Sequence, residues 1–391
     1  MTPGARIAAA AAILDAIGEG RSAERALTGW ARASRFAGSG DRAAIRDLVF
    51  DVLRRRRSCA WVGGAETGRG LMIGLLRLDG IAPETVMTGA GHAPPPPGVE
   101  ERGRDLATMP PPVAADMPDW LHARLFGQAP DHAGAAIEAL RHRAPVFVRV
   151  NLGRGTRGAA IDALAGDGIV AVRHDRVKSC LQVTENARRI SRSAAYLDGL
   201  LDLQDASSQD AVLRLPLTRG DRVLDLCAGG GGKALAMADR LGGPVHAYDI
   251  EPRRMADIPD RAARAGQRIV RLDSGALRRE RPFDLVLVDA PCSGSGTWRR
   301  DPEGKWALTP DVLANLARVQ AGLLHDAADR VAPGGTLAYA TCSILAEENA
   351  ATAARFAANH ERWTETARHA WWPGPEGDGF FLATWRKDVA G

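Results

Sequence analysis

The stretch Arg222-Val-Leu-Asp-Leu-Cys-Ala-Gly-Gly-Gly-Gly-Lys233 decides the fold of this 391-residue chain. Residues 222–226 form a short, largely apolar run of the kind that makes a buried parallel strand. Gly229, Gly230, Gly231 and Gly232 then let the backbone turn sharply and approach a ligand, and a helix starting there presents its positive end. Further apolar runs at 245–248, 269–272, 285–288 and 336–339 alternate with helical segments. That rhythm predicts a doubly wound α/β sheet, in which ligands bind at the carboxyl ends of the strands.

The chemistry of the turn has three readings. A P-loop needs Gly at 227 and Ser or Thr at 234, whereas the chain has Cys227 and Ala234, which argues against it. Gly229, Gly231 and Ala234 satisfy the dinucleotide pattern G-x-G-x-x-A, with Asp249 twenty residues after Gly229, and this suits NAD. S-adenosylmethionine suits it equally: the turn holds the amino-acid end and Asp249 the ribose hydroxyls. The turn by itself leaves these two level.

Two cysteines bear on the choice. Cys292 ends the run Leu287-Val-Asp-Ala-Pro-Cys292 and Cys342 ends Tyr339-Ala-Thr-Cys342, each preceded by an apolar run and followed at once by Ser. Two thiols delivered to the carboxyl edge of a sheet are placed for chemistry rather than packing. Cys59 and Cys180 read as small buried hydrophobes, and Cys227 as packing within the turn. The five cysteines are widely spaced, with no CxxC pair and no zinc pattern. No metal and a reducing cytoplasm are therefore expected.

Composition bounds the rest. The chain is 45% hydrophobic and 25% charged, as soluble globular proteins are. Only four lysines occur, Lys178, Lys233, Lys305 and Lys387, so nearly all of the 51 basic residues are arginine. A net charge of +4 and a pI near 9.0 allow a polyanionic partner without requiring one. Residues 7–14 are apolar, but Asp15, Glu19, Arg21, Glu24 and Arg25 follow at helical spacing. An amphipathic first helix is expected rather than an export signal, and no apolar stretch reaches membrane-spanning length.

Residues 1–80 read as helices, with Asp41 capping one that runs to Leu53 and ends in Arg54-Arg55-Arg56-Arg57. Residues 81–117 are rich in Pro, Gly and Ala and read as a linker with little structure of its own. Residues 118–203 mix helices at 133–143 and 157–164 with strands at 146–150 and 169–172, a small α+β domain. Residues 204–391 carry the doubly wound pattern.

Asp289-Ala-Pro-Cys292-Ser-Gly294, Thr341-Cys342-Ser343 and Asp225-x-Cys227-Ala228-x-x-Gly231-Gly232-Lys233 occur here together. As a set they resemble the RNA cytosine-C5 methyltransferases of the Sun (RsmB) family. The resemblance extends to Trp298-Arg299-Arg300-x-Pro302-x-x-Lys305-Trp306, Glu347-Glu348-Asn349, Asp378-Gly379-Phe380-Phe381, Gln204-Asp205-x-Ser207-Ser208-Gln209 and Arg149-Val150-Asn151. Residues 40–57 look like the NusB-like helical domain of such enzymes. The resemblance implies a class I methyltransferase domain: Rossmann-like, with a seven-stranded mostly parallel sheet. A small α+β domain and an N-terminal NusB-like domain precede it. The family pattern is broken at Gly229-Gly230 (usually Ala-Pro), at Ala234 (usually Thr or Ser) and at Ala346 (commonly Pro).

Methylating carbon 5 of cytosine explains why such a set is needed. That carbon is a poor nucleophile until a thiolate adds to carbon 6, and the thiolate needs a lowered pKa or a nearby proton acceptor. A carboxyl at the base edge stabilises the developing charge. By resemblance Cys342 attacks, Cys292 assists elimination and release, and Asp289 binds the base edge or the cofactor. The family also implies S-adenosylmethionine contacts at Cys227, Ala228, Gly229, Gly230, Gly231, Gly232, Lys233, Asp249, Asp273 and Asp289.

Arg299, Arg300 and Lys305 follow the Cys292 motif directly and are expected to contact RNA, while Trp306 either stacks on a base or packs. Arg54 to Arg57 read equally as a phosphate contact and as a solvated helix end. The expected protein is a cytoplasmic, monomeric RNA methyltransferase without metal or membrane contact. It acts on 16S ribosomal RNA, and transfer RNA is the alternative. An NAD-dependent oxidoreductase and a non-catalytic RNA-binding factor are the rivals of other classes.

Overall fold

The computed structural model describes residues 1–389. They divide into two compact units, residues 1–143 with 298–307, and residues 144–297 with 308 onward.

The first unit is helical: α1 (Pro3–Gly18), α2 (Ala23–Ala33), α3 (Ser39–Arg54), α4 (Arg56–Gly63) and α5 (Gly68–Leu78). The Thr2 hydroxyl caps α1 by accepting from the Ala5 amide at 3.2 Å, and Pro3 occupies the first turn, where its missing N–H costs nothing. Ile7, Ala10, Ile13 and Leu14 of α1 meet Ile45, Val49 and Val52 of α3 and Leu71 and Leu75 of α5 in one core. Asp41 does not cap α3. It lies in the first turn of that helix, after the Gly38 cap, where its carboxylate takes the Met1 ammonium at 3.1 Å and Arg6 at 2.8 Å. These cations, with favourable placement at a helix start, hold it there.

The proline-rich stretch 81–117 is more structured than its composition suggests. It runs through three short 3-10 turns and is strapped down by polar side chains. Glu101 pairs with Arg69 at 2.6 Å, and Arg77 donates to the carbonyls of Val62 at 2.8 Å and Glu101 at 2.7 Å. Asp116, fully buried, accepts from the Ser58 amide and hydroxyl, both at 2.8 Å, and pairs with Arg141. The expected helix at 133–143 is observed at Pro130–Leu140 and belongs to this helical unit.

The second unit holds two sheets. Four antiparallel strands, β1 (Val146–Val150), β2 (Val170–Arg173), β3 (Cys180–Glu185) and β4 (Leu201–Leu203), lie in the order β2-β3-β1-β4. The helix Arg157–Gly166 supplies Ala160 and Leu164 to their core. The larger sheet comprises β5 (Val223–Asp225), β6 (Val245–Ala247), β7 (Ile269–Arg271), β8 (Phe283–Asp289), β9 (Val331–Thr341), β10 (Trp363–Trp371) and β11 (Phe380–Lys387). Their order is β10-β11-β9-β8-β5-β6-β7.

β5 to β9 pair in parallel, and β11 runs antiparallel between β9 and β10. Alternate residues of β8 feed opposite faces: Leu285 and Leu287 pack with Met237 and Leu241, Val286 and Val288 with Leu324 and Phe356. Burial on both faces is why the parallel strands read as continuous apolar runs. Strand order reverses at β5, so the crevice beyond β5, β8 and β9 is the switch point where ligands bind.

Candidate active site

The glycine turn leaves β5 directly. Gly231 adopts φ +79°, and a Cβ there would lie 2.8 Å from Ile258. Glycine is therefore required both for the left-handed backbone and for the close approach of the next helix. Asp249, buried after β6, accepts from the Gly229 amide at 2.9 Å and the Glu251 amide at 3.0 Å, with Arg254 at 3.3 Å. It thereby braces the turn from the neighbouring strand. The Ala228 amide donates to the Tyr248 carbonyl at 2.9 Å, the Gly230 carbonyl accepts from Arg261, and Gly232 begins the helix Gly232–Leu241.

Cys227 packs at the edge of the core. Burial and the charge of Asp225 push its thiol up to about 12, so it is unreactive. Asp273 is exposed after β7, where it caps a short helix by accepting from the Ala276 amide at 2.7 Å; that bond holds its carboxyl below the usual range.

Asp225 is a residue to which sequence reading assigned no role. It is fully buried at the end of β5, and among the described residues no donor meets either oxygen with hydrogen-bond geometry. Burial, then the charge of Asp289, push it up to about 7, with Lys233 and the nearby Ala234 amide giving partial relief. A buried carboxylate without a donor is costly and marks a place for a cationic or hydrogen-bonding ligand.

Lys233 reaches from the first turn of the helix to Asp289 at the end of β8, Nζ to Oδ2 2.6 Å. Burial pulls its ammonium down, but the charge and hydrogen bond of Asp289 outweigh it and hold the group above the ordinary lysine range. Nζ also lies 5.0 Å over the Phe380 ring, a cation–π contact.

The two thiols meet. β8 and β9 are parallel neighbours with Asp289 opposite Ala340. Beyond them the Ala290 amide donates to Ala340 and the Gly296 amide to the Cys342 carbonyl, both at 2.9 Å. Gly296 is obligatory: a Cβ there would lie 2.3 Å from the Gly379 carbonyl oxygen. The sulfurs of Cys292 and Cys342 are 3.4 Å apart, and both residues are partly exposed.

Their electrostatics differ. A hydrogen bond from Cys292 pulls Cys342 below the ordinary thiol range against burial and the charge of Asp289, with help from Lys233 and the Thr297 hydroxyl. Cys292 is pushed well up by the same bond, by burial, and by the charges of Cys342 and Glu348. Cys342 is therefore the more acidic of the two sulfurs, and Cys292 the one that holds its proton. Glu348 is the second residue without an assigned role; its donors come from three separate segments.

The expected RNA contacts diverge. Arg299 and Lys305 are buried, whereas Arg300 is exposed. Lys305 donates to the Arg54 carbonyl at 3.1 Å, and burial pushes its ammonium down to about 7. In this conformation neither Arg299 nor Lys305 presents a surface to phosphate. Trp306 packs, donating to the Leu53 carbonyl at 2.7 Å. Arg54 is buried and bonds the Arg299 carbonyl and Asp51, each at 2.7 Å. Arg55, Arg56 and Arg57 pair with Asp79, Glu66 and Asp119. All four are thus engaged in the fold. Arg300 lies with Arg46, Arg54 and Arg143 around a cavity of about 230 Å³.

A mostly parallel seven-stranded sheet, with a glycine turn after its central strand and polar groups gathered at the switch point, is a class I methyltransferase fold. Residues 212–386 match the model of the 16S rRNA methyltransferase RsmB/F family, and residues 117–190 that of the ferredoxin-like domain of RsmF/B-type methyltransferases. The chain belongs to this RsmB/F, or Sun, family.

It is 36% identical over 290 residues to the ribosomal RNA small subunit methyltransferase B of Sodalis glossinidius, a match spanning 70% of this chain and 66% of that protein. In fold it resembles the crystal structure of PH0851 (TM-score 0.77, 22% identity, 99% of both chains). A methyltransferase homologue from Pyrococcus horikoshii is similar too (TM-score 0.63, 24% identity, 71% of this chain and 100% of that one). Among the described residues, no helix is long and apolar enough to cross a membrane.

The family's cofactor is S-adenosylmethionine, which removes the NAD reading of the turn. The residues fit it. The oxygens of Asp225, without a hydrogen-bond partner among the described residues, complement an α-ammonium, and Asp249 Oδ1, which accepts from the Glu251 amide, has a further lone pair for a ribose hydroxyl.

Proposed function

We propose that the chain transfers a methyl group to carbon 5 of a cytosine in RNA, through a covalent bond between Cys342 and carbon 6. The observation that carries this is the thiol pair, 3.4 Å apart, with Cys342 low and Cys292 high. Bound S-adenosylmethionine supplies an electrophilic methyl on its sulfonium.

Cys342 thiolate adds to carbon 6, forming the C–S bond and making carbon 5 electron-rich. Asp289, with Lys233 at 2.6 Å, lies at the same edge and is assigned to the pyrimidine edge where charge develops. After transfer the proton on carbon 5 passes to the Cys292 sulfur, which has lost its own proton to solvent once Cys342 is bonded to carbon. The electron pair that the proton leaves behind re-forms the C5–C6 double bond and returns Cys342 as thiolate. Cys292 serves this release: once Cys342 is bonded to carbon, the hydrogen bond that chiefly keeps the Cys292 proton in place is gone.

Small-subunit ribosomal RNA is the proposed substrate, as the name of the Sodalis glossinidius relative has it for that protein. The helical unit is proposed as a NusB-like RNA-binding domain, with the Arg46, Arg143 and Arg300 cluster facing phosphate. The target cytosine has to leave its stack for carbon 6 to be reached.

The test incubates wild type, Cys342→Ala and Cys292→Ala with methyl-labelled cofactor and ribosomal or transfer RNA. Label is expected in 5-methylcytosine of ribosomal RNA with wild type only, and a denaturation-resistant protein–RNA adduct with Cys292→Ala. Transfer surviving in Cys342→Ala refutes the nucleophile. Label in transfer RNA alone moves the substrate, and no label in any RNA points to a non-catalytic factor.

A further inference from the structure

We infer that Glu348 is the positioning residue of this site: one buried carboxylate ties together the two loops that carry the thiols and fixes which sulfur donates and which accepts. This rests on the reading of Cys342 and Cys292 as the reacting pair.

Glu348 is fully buried. Its Oε1 accepts from the Ser293 amide at 2.8 Å and Gln320 Nε2 at 3.1 Å. Its Oε2 accepts from the hydroxyls of Ser293 and Ser343, both at 2.5 Å. Ser293 follows Cys292 and Ser343 follows Cys342, so a single carboxylate holds the residue after each sulfur. Gln320 also donates to the Pro291 carbonyl at 2.9 Å, on the other side of Cys292.

Asn349 completes the clamp around Cys342, donating to the Ser343 carbonyl at 2.8 Å and accepting from the Thr341 hydroxyl at 2.6 Å. Tyr339 anchors the Glu348 carbonyl at 2.5 Å. The directions are consistent along the chain of hydroxyls. Ser343 Oγ accepts from the Leu345 amide at 3.0 Å and Ser293 Oγ from the Ser295 amide at 3.3 Å, leaving each hydroxyl proton for Glu348.

The four hydrogen bonds to Glu348 come from neutral donors, so the carboxylate acts there as acceptor. The charges around the pair are then segregated. Cys292 faces Glu348 and the buried phenol of Tyr339; Cys342 faces Asp289 and Lys233. The Glu348 charge favours the protonated thiol at Cys292, while the Lys233 ammonium favours thiolate at Cys342.

The test reads thiols directly and needs no RNA. Native protein is alkylated with iodoacetamide from pH 6 to 10, and each cysteine is followed by peptide mass spectrometry. In a Cys342→Ala background, Glu348→Gln is expected to move the pH midpoint of Cys292 alkylation down and speed it on the order of tenfold below that midpoint. Glu348→Asp keeps the charge and restores the midpoint. With Cys342 intact, Ser293→Ala and Ser343→Ala loosen the loops, and the Cys342 midpoint is expected to rise as its donor moves away.

Buried Cys180 is the control for folding, since it reacts only if the unit opens. Should Glu348→Gln expose Cys180, the two serine variants decide. An unmoved Cys292 midpoint in folded Glu348→Gln overturns the inference, and so does an unmoved Cys342 midpoint in both serine variants. If these midpoints shift as expected while wild type labels no RNA, the positioning role stands and the proposed function fails.

Discussion

Two of the four lysines, Lys305 fully buried and Lys233 half-buried, are sent opposite ways by their surroundings. Lys233, at the switch point of the large sheet, meets Asp289 at 2.6 Å and is held above its ordinary range. Lys305, in the segment Trp298–Ala307 of the helical unit, meets the Arg54 carbonyl and the Trp306 ring, and burial brings it down to about 7. The same side chain serves once as a charge and once as a long packing group with one hydrogen bond. Burial is common to both, so the partner decides the charge state.

The largest effect expected is at Lys233. Lys233→Met leaves Asp289 and Asp225 facing each other without a cation, and breaking a largely buried pair costs roughly 3–5 kcal/mol. Urea unfolding at pH 7 and cofactor titration measure it. Stability within about 1 kcal/mol of wild type would show that the pair is not structural.

Lys305 gives the opposite sign. Its folded pKa of about 7 lies below the unfolded value near 10.4, so between these the unfolded chain binds the extra proton. Stability therefore rises as pH goes from about 7 to 10, and the penalty is fully present below 7. Lys305→Met is expected to abolish that rise and to stabilise the protein at pH 7 on the order of 3 kcal/mol. Parallel pH–stability curves for the two proteins would break the comparison.

A smaller effect separates Lys305 from Arg300. Exposed Arg300 is expected to contact phosphate, so Arg300→Ala lowers the salt slope of RNA binding by about one, whereas Lys305→Met leaves it unchanged. The smallest effect is at Trp306→Phe, which deprives the Leu53 carbonyl of its donor and costs about 1 kcal/mol in thermal or urea unfolding.

The parallel strands of the large sheet are legible because burial on both faces writes a continuous apolar run, whereas β11, also interior, is not read from the sequence. Expected 146–150 is observed at Val146–Val150 and expected 285–288 at Phe283–Asp289. β10 shows the limit: Trp363–Trp371 alternates between partly buried and exposed positions at the sheet edge, and no strand was read there. β3 and β4 are not read from the sequence either: β3 mixes polar Gln182, Thr184 and Glu185 with its apolar residues, and β4 is three residues long. Asp116 had no sequence signal, since its donors Ser58 and Arg141 lie 58 and 25 residues away. That is why the proline-rich stretch read as a free linker.

By itself the sequence determined the doubly wound sheet, the glycine turn and the delivery of two thiols to one edge, because each follows from local periodicity and turn chemistry. Only the tertiary structure decided which groups there are charged. Asp225 lacks a donor, Glu348 gathers four from three segments, and the two sulfurs lie 3.4 Å apart with unlike neighbours. The physical reason is that a buried group's protonation depends on the few atoms around it, and those atoms are brought together from distant parts of the chain.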